Sequence, residues 1–386
     1  MQKHILDNTT AADPTLKLFN GRYYIYPTDG GVAEPGFCAW SSRDLRKWKP
    51  EGTVLALRDV AWAKGEAWAP DIVQRNGVYY FYFCSGSAIG VATSASPTGP
   101  FKDALGRPLV PFEADMSSID PMAFVDDDGQ AWLYWGATFD GRLFVRKLNP
   151  DMVSFAGETM LSYDYKPDAY YHCEGSFMFK RGGIYYFMWS EYNWTSSPRL
   201  DDDPSYRVNF AVAPTPAGPF KRLTSRVPLL STNMAAGIVG PGHHSVLRLP
   251  DTGEHLICYH WHNGDECRHA AIDRLQFGED GLPWTVNPTE HGVPACPVNA
   301  ALALRGAGPF RAGSPVAFEV RVPKNREVAE VILFNGDKIL WRDPHPATAK
   351  MLTLTFSERG FHRATLAANF RDGGTARSAP VDFDIA

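Results

Sequence analysis

The 386-residue chain has no apolar run approaching the roughly 18 residues that a membrane-spanning helix needs, so no membrane partner is expected. It has no basic tract, and its formal net charge is -5, which argues against a nucleic-acid surface. Its six cysteines (Cys38, Cys84, Cys173, Cys258, Cys267 and Cys296) form no CxxC pair. A chain of this length needs no disulfide framework, so they read mostly as buried thiols, although an even count leaves bridges open. The opening MQKHILDNTT lacks the apolar centre of a signal peptide. The expected location is therefore cytoplasmic, or periplasmic or secreted if a signal has been removed. Helical periodicity is almost wholly missing as well.

Aromatic residues, by contrast, are abundant at 13%, and most sit in short strand-like runs. Hydrophobic residues reach 44% and charged residues 21%, the balance of a soluble globular protein, and a monomer is expected. Five segments repeat one pattern: DPTLKLFNGRYYIYPT from Asp13, PDIVQRNGVYYFYFC from Pro70, DPMAFVDDDGQAWLYWG from Asp120, EGSFMFKRGGIYYFMWS from Glu174 and HSVLRLPDTGEHLICYHW from His244. Each reads as an apolar strand, a turn with glycine and an aromatic strand. Asn-Gly and Asp-Gly are strong hairpin signals because both central residues need positive φ. The repeats recur about every 50 to 55 residues, with a longer last interval, which suits propeller blades.

A third strand follows each hairpin. IGVATSASPTGPFKD and VNFAVAPTPAGPFKR are near copies, and FCAWSSRDLRKW, RLFVRKLNPDMVSF and RHAAIDRLQFGEDG hold the matching place elsewhere. The expected fold is all-β, a five-bladed β-propeller over residues 1–299. The extra length around NWTSSPRLDDDPSYR reads as a loop insertion. From about Ala300 the strands alternate in polarity, which predicts a small immunoglobulin-like β-sandwich over residues 300–386. It shows no acidic or histidine cluster and is assigned no chemistry.

Blades are related by rotation about a central channel, so equivalent positions meet at one mouth. The starts of the inner strands carry Asp13, Asp71, Asp120, Glu174 and the His243–His244 pair. One Asp-Pro alone is an ordinary turn starter. Glu174 is different: no proline follows it, and a carboxylate opening an apolar strand is costly to bury without a partner. Asp71 in WAPDI is the member most open to a purely structural reading. Clustered carboxylates suit glycoside hydrolysis, which needs one acid to protonate the leaving oxygen and one carboxylate to activate water or attack. An apolar setting and a neighbouring Asp120 are expected to raise the pKa of Glu174.

ADPTLKLFNGRYYIYPT, WSSRDLRKW, AWAPDIVQRNGVYYFYF, IGVATSASPTGPF, SIDPMAFVDDDGQAWLYWG, CEGSFMFKRGGIYYFMWS, GPGHHSVL and AIDRLQFGEDG occur in that order between Asp7 and Val293. Together they resemble glycoside hydrolase family 43. The resemblance implies an inverting glycosidase acting on arabinose- or xylose-containing glycans. It implies Asp13 as general base, Asp120 as the carboxylate that tunes and orients the acid, and Glu174 as general acid. It places His243 near the channel axis, facing a bound metal, often calcium, with water in most other positions. An arginine like Arg268 hydrogen-bonds sugar hydroxyls in similar sequences, though a surface ion pair fits it as well. Trp68 resembles a ring lining the sugar pocket, with a core tryptophan as the alternative. Trp135, Trp62 and Trp194 are further candidates, while His260 and His262 read first as core histidines that edge the site.

The expected activity is an exo-acting α-L-arabinofuranosidase. A β-xylosidase, a β-D-galactofuranosidase or a galactan-cleaving enzyme of the same fold are alternatives. A propeller lectin that binds glycans without cutting them is the rival from another class, and a lectin has no need of three carboxylates at three blade starts.

Overall fold

The computed structural model describes the chain outside residues 1–4, 7–9, 29–33, 114–116, 137–141, 165–170, 194–204, 219, 223–227, 235–236, 251, 263–266, 279, 287, 289–299, 307, 323–327, 336–337, 345–348, 371–374 and 379–380. All five repeats form antiparallel hairpins. Ala12–Phe19 pairs with Arg22–Thr28, Trp68–Arg75 with Val78–Cys84, and Met122–Val125 with Ala131–Trp135. Tyr171–Arg181 pairs with Ile184–Asn193, and Val239–Arg248 with His255–His262. The turn residues behave as their chemistry requires. Asn20 and Gly21 have φ of 50° and 72°, and Asn76 and Gly77 have 51° and 80°, so each Asn-Gly pair supplies two left-handed residues.

Each hairpin gains a third strand: Gly36–Ser42, Ile89–Ser94, Arg142–Leu148, Arg207–Ala213 and His269–Leu275. A fourth is added in the first four blades by Lys49–Ala56, Lys102–Asp103, Phe155–Asp164 and Lys221–Arg222. These five sheets are the blades of the propeller. The last blade is joined back to the first. The Ala11 amide donates to the Arg268 carbonyl at 2.8 Å, and Ser245 Oγ takes the Leu16 amide at 2.9 Å while donating to the Pro14 carbonyl at 3.0 Å.

The aromatic strands fill the spaces between blades. Phe81, fully buried, meets Tyr26 and Phe37 edge-on at 5.8 and 5.2 Å and packs on Phe101 at 5.0 Å. Each such side chain contributes about 1.5–3 kcal/mol by leaving water, so the many rings act mainly as mortar. Cys38, Cys84, Cys173 and Cys258 are buried and form no disulfide, and half-buried Cys267 forms none either. Cys296, Trp194 and most of the insertion around it lie outside the described residues.

The chain divides into two compact units. The first comprises Met1–Arg43, Lys47–Leu247 and Leu256–Gly292, and the second Asp44–Arg46, Arg248–His255 and Val293–Ala386. The C-terminal strands of the second unit make two antiparallel sheets. One holds Ala301–Arg305, Pro315–Arg321 and Ala349–Thr355; the other holds Lys338–Asp343, Val328–Asn335, Gly360–Phe370, Thr375–Arg377 and Val381–Ile385. Val316, Phe318 and Val320 of one sheet share a buried cluster with Val331, Leu333, Leu366 and Phe383 of the other, as in a sandwich.

One local irregularity decides what the propeller presents at its mouth. Each inner strand carries a left-handed residue in its first half or just before it: Asp13 (φ 50°), Ala69 (39°), Asp120 (57°), Gly175 (61°) and His243 (42°). In three blades the pairing register also slips there, between Ala12 and Thr15, between Trp68 and Asp71, and between Glu174 and Phe177. These are β-bulges, which bend a strand and re-aim one side chain. They also correct the sequence alignment of the mouth. Asp13, Asp120 and His243 are true equivalents. Asp71 lies two residues beyond its bulge residue, one pleat deeper, and Glu174 lies one residue before its own.

Candidate active site

Asp13 is buried, and four groups converge on it. Thr28 Oγ1 donates to Oδ2 at 2.6 Å. His243 Nδ1 and His260 Nδ1 each lie 3.1 Å from Oδ1, and Arg268 Nη1 lies 3.5 Å from it. The Asp13 amide donates to His260 Nδ1 at 3.2 Å. Burial alone would favour the neutral acid, but His243, His260 and Arg268 outweigh it and hold the carboxyl well below the usual range. Asp13 is therefore ionised at any working pH. His260 is itself pushed down to about 4, chiefly by burial, and stays neutral.

Asp120 and Glu174 form a second, different arrangement. The amide of Gly175 donates to Asp120 Oδ2 at 3.0 Å. Burial, then the nearby charges of Glu174 and Asp13, push Asp120 up to about 7 against the pull of His243. Glu174 is held on both oxygens: His172 Nε2 lies 2.8 Å from Oε2, and the Tyr206 hydroxyl donates to Oε1 at 2.7 Å. Burial resists ionisation here too, but His172, His243 and Tyr206 bring Glu174 down to about 2. The expected upward shift of Glu174 is thus corrected. The raised member of the pair is Asp120, because Glu174 has two side-chain donors that the hairpin pattern does not reveal. An oxygen of each carboxyl lies within 4.8 Å of the other, so the two titrate as a pair, and it is the pair that keeps one proton towards neutral pH.

Asp71 separates from this group. It accepts from Thr15 Oγ1 at 2.9 Å and from the Ala123 amide at 2.9 Å, and Lys17 Nζ lies 2.6 Å away. It is a strut joining the first three inner strands. Lys17 also lies 5.9 Å over the Phe177 ring of the fourth blade, so its ammonium spans the channel below the mouth.

The other sequence candidates distribute unevenly. Arg268 is at Asp13, as stated. Trp68 is half-buried against the core between the second and third blades, beside Ala69, whose amide donates to Thr28 Oγ1 at 2.7 Å. Trp135 is buried between Phe144 and Phe155, with ring centres at 6.0 and 5.8 Å. It lines a separate cavity of about 280 Å³ with Ser117, Arg146 and Thr159, and none of the catalytic candidates lines that cavity. Trp62 stacks on Phe83 at 5.7 Å and donates from Nε1 to Asp103 at 3.0 Å, a core role. His260 belongs to the site more fully than a core histidine would. Sequence reasoning missed Thr28, His172 and Tyr206. His172 has a readable signal, since it stands two residues before Glu174 on the same face of a strand. Tyr206 has none, lying outside every repeat.

Ligand atoms of Asp120, Glu174 and His243 lie within 4.8 Å of one another, a group that could hold a metal ion. Just below, His244 is buried with neither ring nitrogen hydrogen-bonded, and burial together with His243 pushes it down to about 3. It borders a cavity of about 20 Å³ with Asp13, Asp120 and His243, room for a single water-sized occupant. A neutral, orphaned imidazole beside carboxylates fits a cation or a water.

Comparisons with known proteins agree with this chemistry. The profile of "Glycosyl hydrolases family 43" matches residues 5–283. A β-D-galactofuranosidase, xynD, of Aspergillus niger is 36% identical over 73% of this chain and 84% of its own length. An arabinoxylan arabinofuranohydrolase of Bacillus subtilis is 31% identical over 75% of this chain and 64% of its own length, so this chain spans under two thirds of that relative. Among solved structures, a thermostable family-43 glycoside hydrolase superposes with a TM-score of 0.65 at 30% identity, covering 75% of this chain and 96% of the other. Another, described as a glycoside hydrolase, covers 95% of this chain and 81% of its own at 25% identity and a TM-score of 0.61.

Proposed function

Because the chain belongs to glycosyl hydrolases family 43, and is therefore a glycosidase acting on carbohydrate, we propose that Asp13, Asp120 and Glu174 carry its hydrolysis with inversion. Water attacks the anomeric carbon and gives a proton to Asp13. As the bond to the leaving oxygen breaks, Glu174 gives that oxygen its proton. Asp120 exchanges the shared proton with Glu174 and supplies the like charge that keeps it bound. One observation carries this reading: an ionised carboxylate and an electrostatically coupled carboxyl pair, one member of which is raised to about 7, meet at one mouth. A lectin would gain nothing from that division of charge.

For the sugar, we propose a terminal α-L-arabinofuranoside, cleaved from the chain end. Support comes from the two relatives above, both of which act on furanosides by name. An α-L-arabinofuranosyl and a β-D-galactofuranosyl ring have the same ring stereochemistry, so one pocket can favour either. Nitrophenyl α-L-arabinofuranoside, β-D-galactofuranoside and β-D-xyloside, assayed beside linear arabinan, test the choice. The arabinofuranoside is expected to be cut fastest; preference for the xyloside would replace the choice, and release from none would overturn it. Arg268 would hydrogen-bond the sugar hydroxyls, and Trp68 would border the ring.

A calcium ion at the axis would be held by His243, with water in most other positions, and would supply positive charge beside the carboxylates around it. Lys17 already contributes charge of that sign deeper in the channel.

The shared proton sets the pH dependence. Below about pH 7 the Asp120–Glu174 pair holds it; above that point kcat/KM is expected to fall about tenfold per pH unit. Asp120→Asn removes the repelling charge, leaving burial as the one influence that raises Glu174, outweighed by the groups that lower it. The fall should then begin at lower pH. A pH profile of the variant that superposes on the wild type would refute the sharing.

A further inference from the structure

Tyr206 lies outside every repeat, yet its hydroxyl ends on the carboxyl assigned the role of acid. The ring is buried, and it lies almost parallel to His260, with centres 5.5 Å apart and planes at 16°. His260 in turn touches Asp13. One packed column therefore runs from Glu174 through Tyr206 and His260 to Asp13.

The seat for this ring is made by an absent side chain. A Cβ on Gly242 would overlap the Tyr206 ring, standing 2.5 Å from Cδ1, and would press on Ser190 Oγ at 3.1 Å. Ser190 Oγ accepts the amide of His243 at 2.8 Å, so it has little freedom to yield. The Gly242 position thus has a local reason to lack a side chain: only glycine lets the phenol reach Glu174.

We propose that Tyr206 is a positioning residue that fixes which oxygen of Glu174 carries the catalytic proton. Its single hydrogen points at Oε1, so Oε1 is committed as an acceptor. The proton of the acid is then confined to Oε2, 2.8 Å from His172 Nε2, a ring nitrogen that donates to the ionised carboxylate and, in its other tautomer, accepts from the protonated one until the leaving oxygen arrives. Burial keeps the phenol protonated and hence a permanent donor. This rests on Glu174 being the general acid.

The test is the dependence of rate on the leaving group. Tyr206→Phe keeps the ring and removes the hydroxyl. An alkyl glycoside or oligosaccharide needs its leaving oxygen protonated, and its kcat/KM is expected to fall about 10- to 100-fold. The dinitrophenyl glycoside of the same sugar leaves without help and should change less than about threefold. The limb at high pH should move upward, because Glu174 loses a donor to its charged form. Gly242→Ala keeps the hydroxyl but displaces the ring, and should reproduce the same selective loss. Equal losses on both substrates with an unmoved limb, or no loss on either, would overturn the proposal. Full turnover of the oligosaccharide by Glu174→Gln would instead remove the acid assignment itself, so the two failures are distinguishable.

Discussion

Glu174→Gln is expected to lower kcat on oligosaccharides about 10²- to 10⁴-fold, the range that positioned acid catalysis supplies. Glutamine preserves shape. Its carbonyl oxygen can still accept from Tyr206, and its amide can donate to His172 Nε2. What disappears is the transferable proton. The defect should shrink to about tenfold or less on a dinitrophenyl glycoside, whose leaving group departs as a stable anion. Sugar binding, measured by titration calorimetry, should hold within about twofold, since no contact is lost. Unchanged turnover would remove Glu174 from the role of acid.

Asp13→Asn should cost a similar factor, about 10²- to 10⁴-fold, but evenly across leaving groups. The base acts on water, and water is the same for every substrate. The variant also changes its neighbours. His243 is held above its ordinary pKa against burial by Asp13, Asp120 and Glu174, so losing Asp13 should make it easier to deprotonate. Arg268 loses a carboxylate 3.5 Å away. These changes add to the loss without making it selective. A variant as active on oligosaccharides as the wild type would end the assignment of Asp13, whereas a loss confined to poor leaving groups would recast it as part of the acid.

Much of this protein is legible in its sequence. Asn20–Gly21 and Asn76–Gly77 announce hairpins because the turn demands positive φ, and the aromatic strands announce buried faces. Five copies of one pattern then imply rotation about an axis, and rotation brings Asp13 and Asp120 together from distant segments. The limits are equally physical. A bulge adds a residue without leaving a mark in polarity, so Asp71 and Glu174 look level with the two aspartates when they are offset from them. Tyr206 belongs to no repeat, and neither its contact nor the glycine that admits it has a period to betray it. The protonation order of Asp120 and Glu174 depends on those unseen donors, which is why the sequence leads to the wrong member of the pair. Trp135 resembles a sugar-facing ring by composition, but its place between Phe144 and Phe155 is set by packing.

The five left-handed positions have a consequence of another kind. They give the propeller five fixed addresses at one opening, each held by strand pairing that does not depend on the resident side chain. Two addresses hold aspartates, one a histidine and one a glycine that lets its neighbour Glu174 serve instead. The remaining one, Ala69, holds a methyl group and no chemistry at all. A small polar group placed there, as in Ala69→Ser, would join the others at the same opening. Change of specificity in this architecture can thus proceed one blade at a time, by altering the tenant and leaving the building alone.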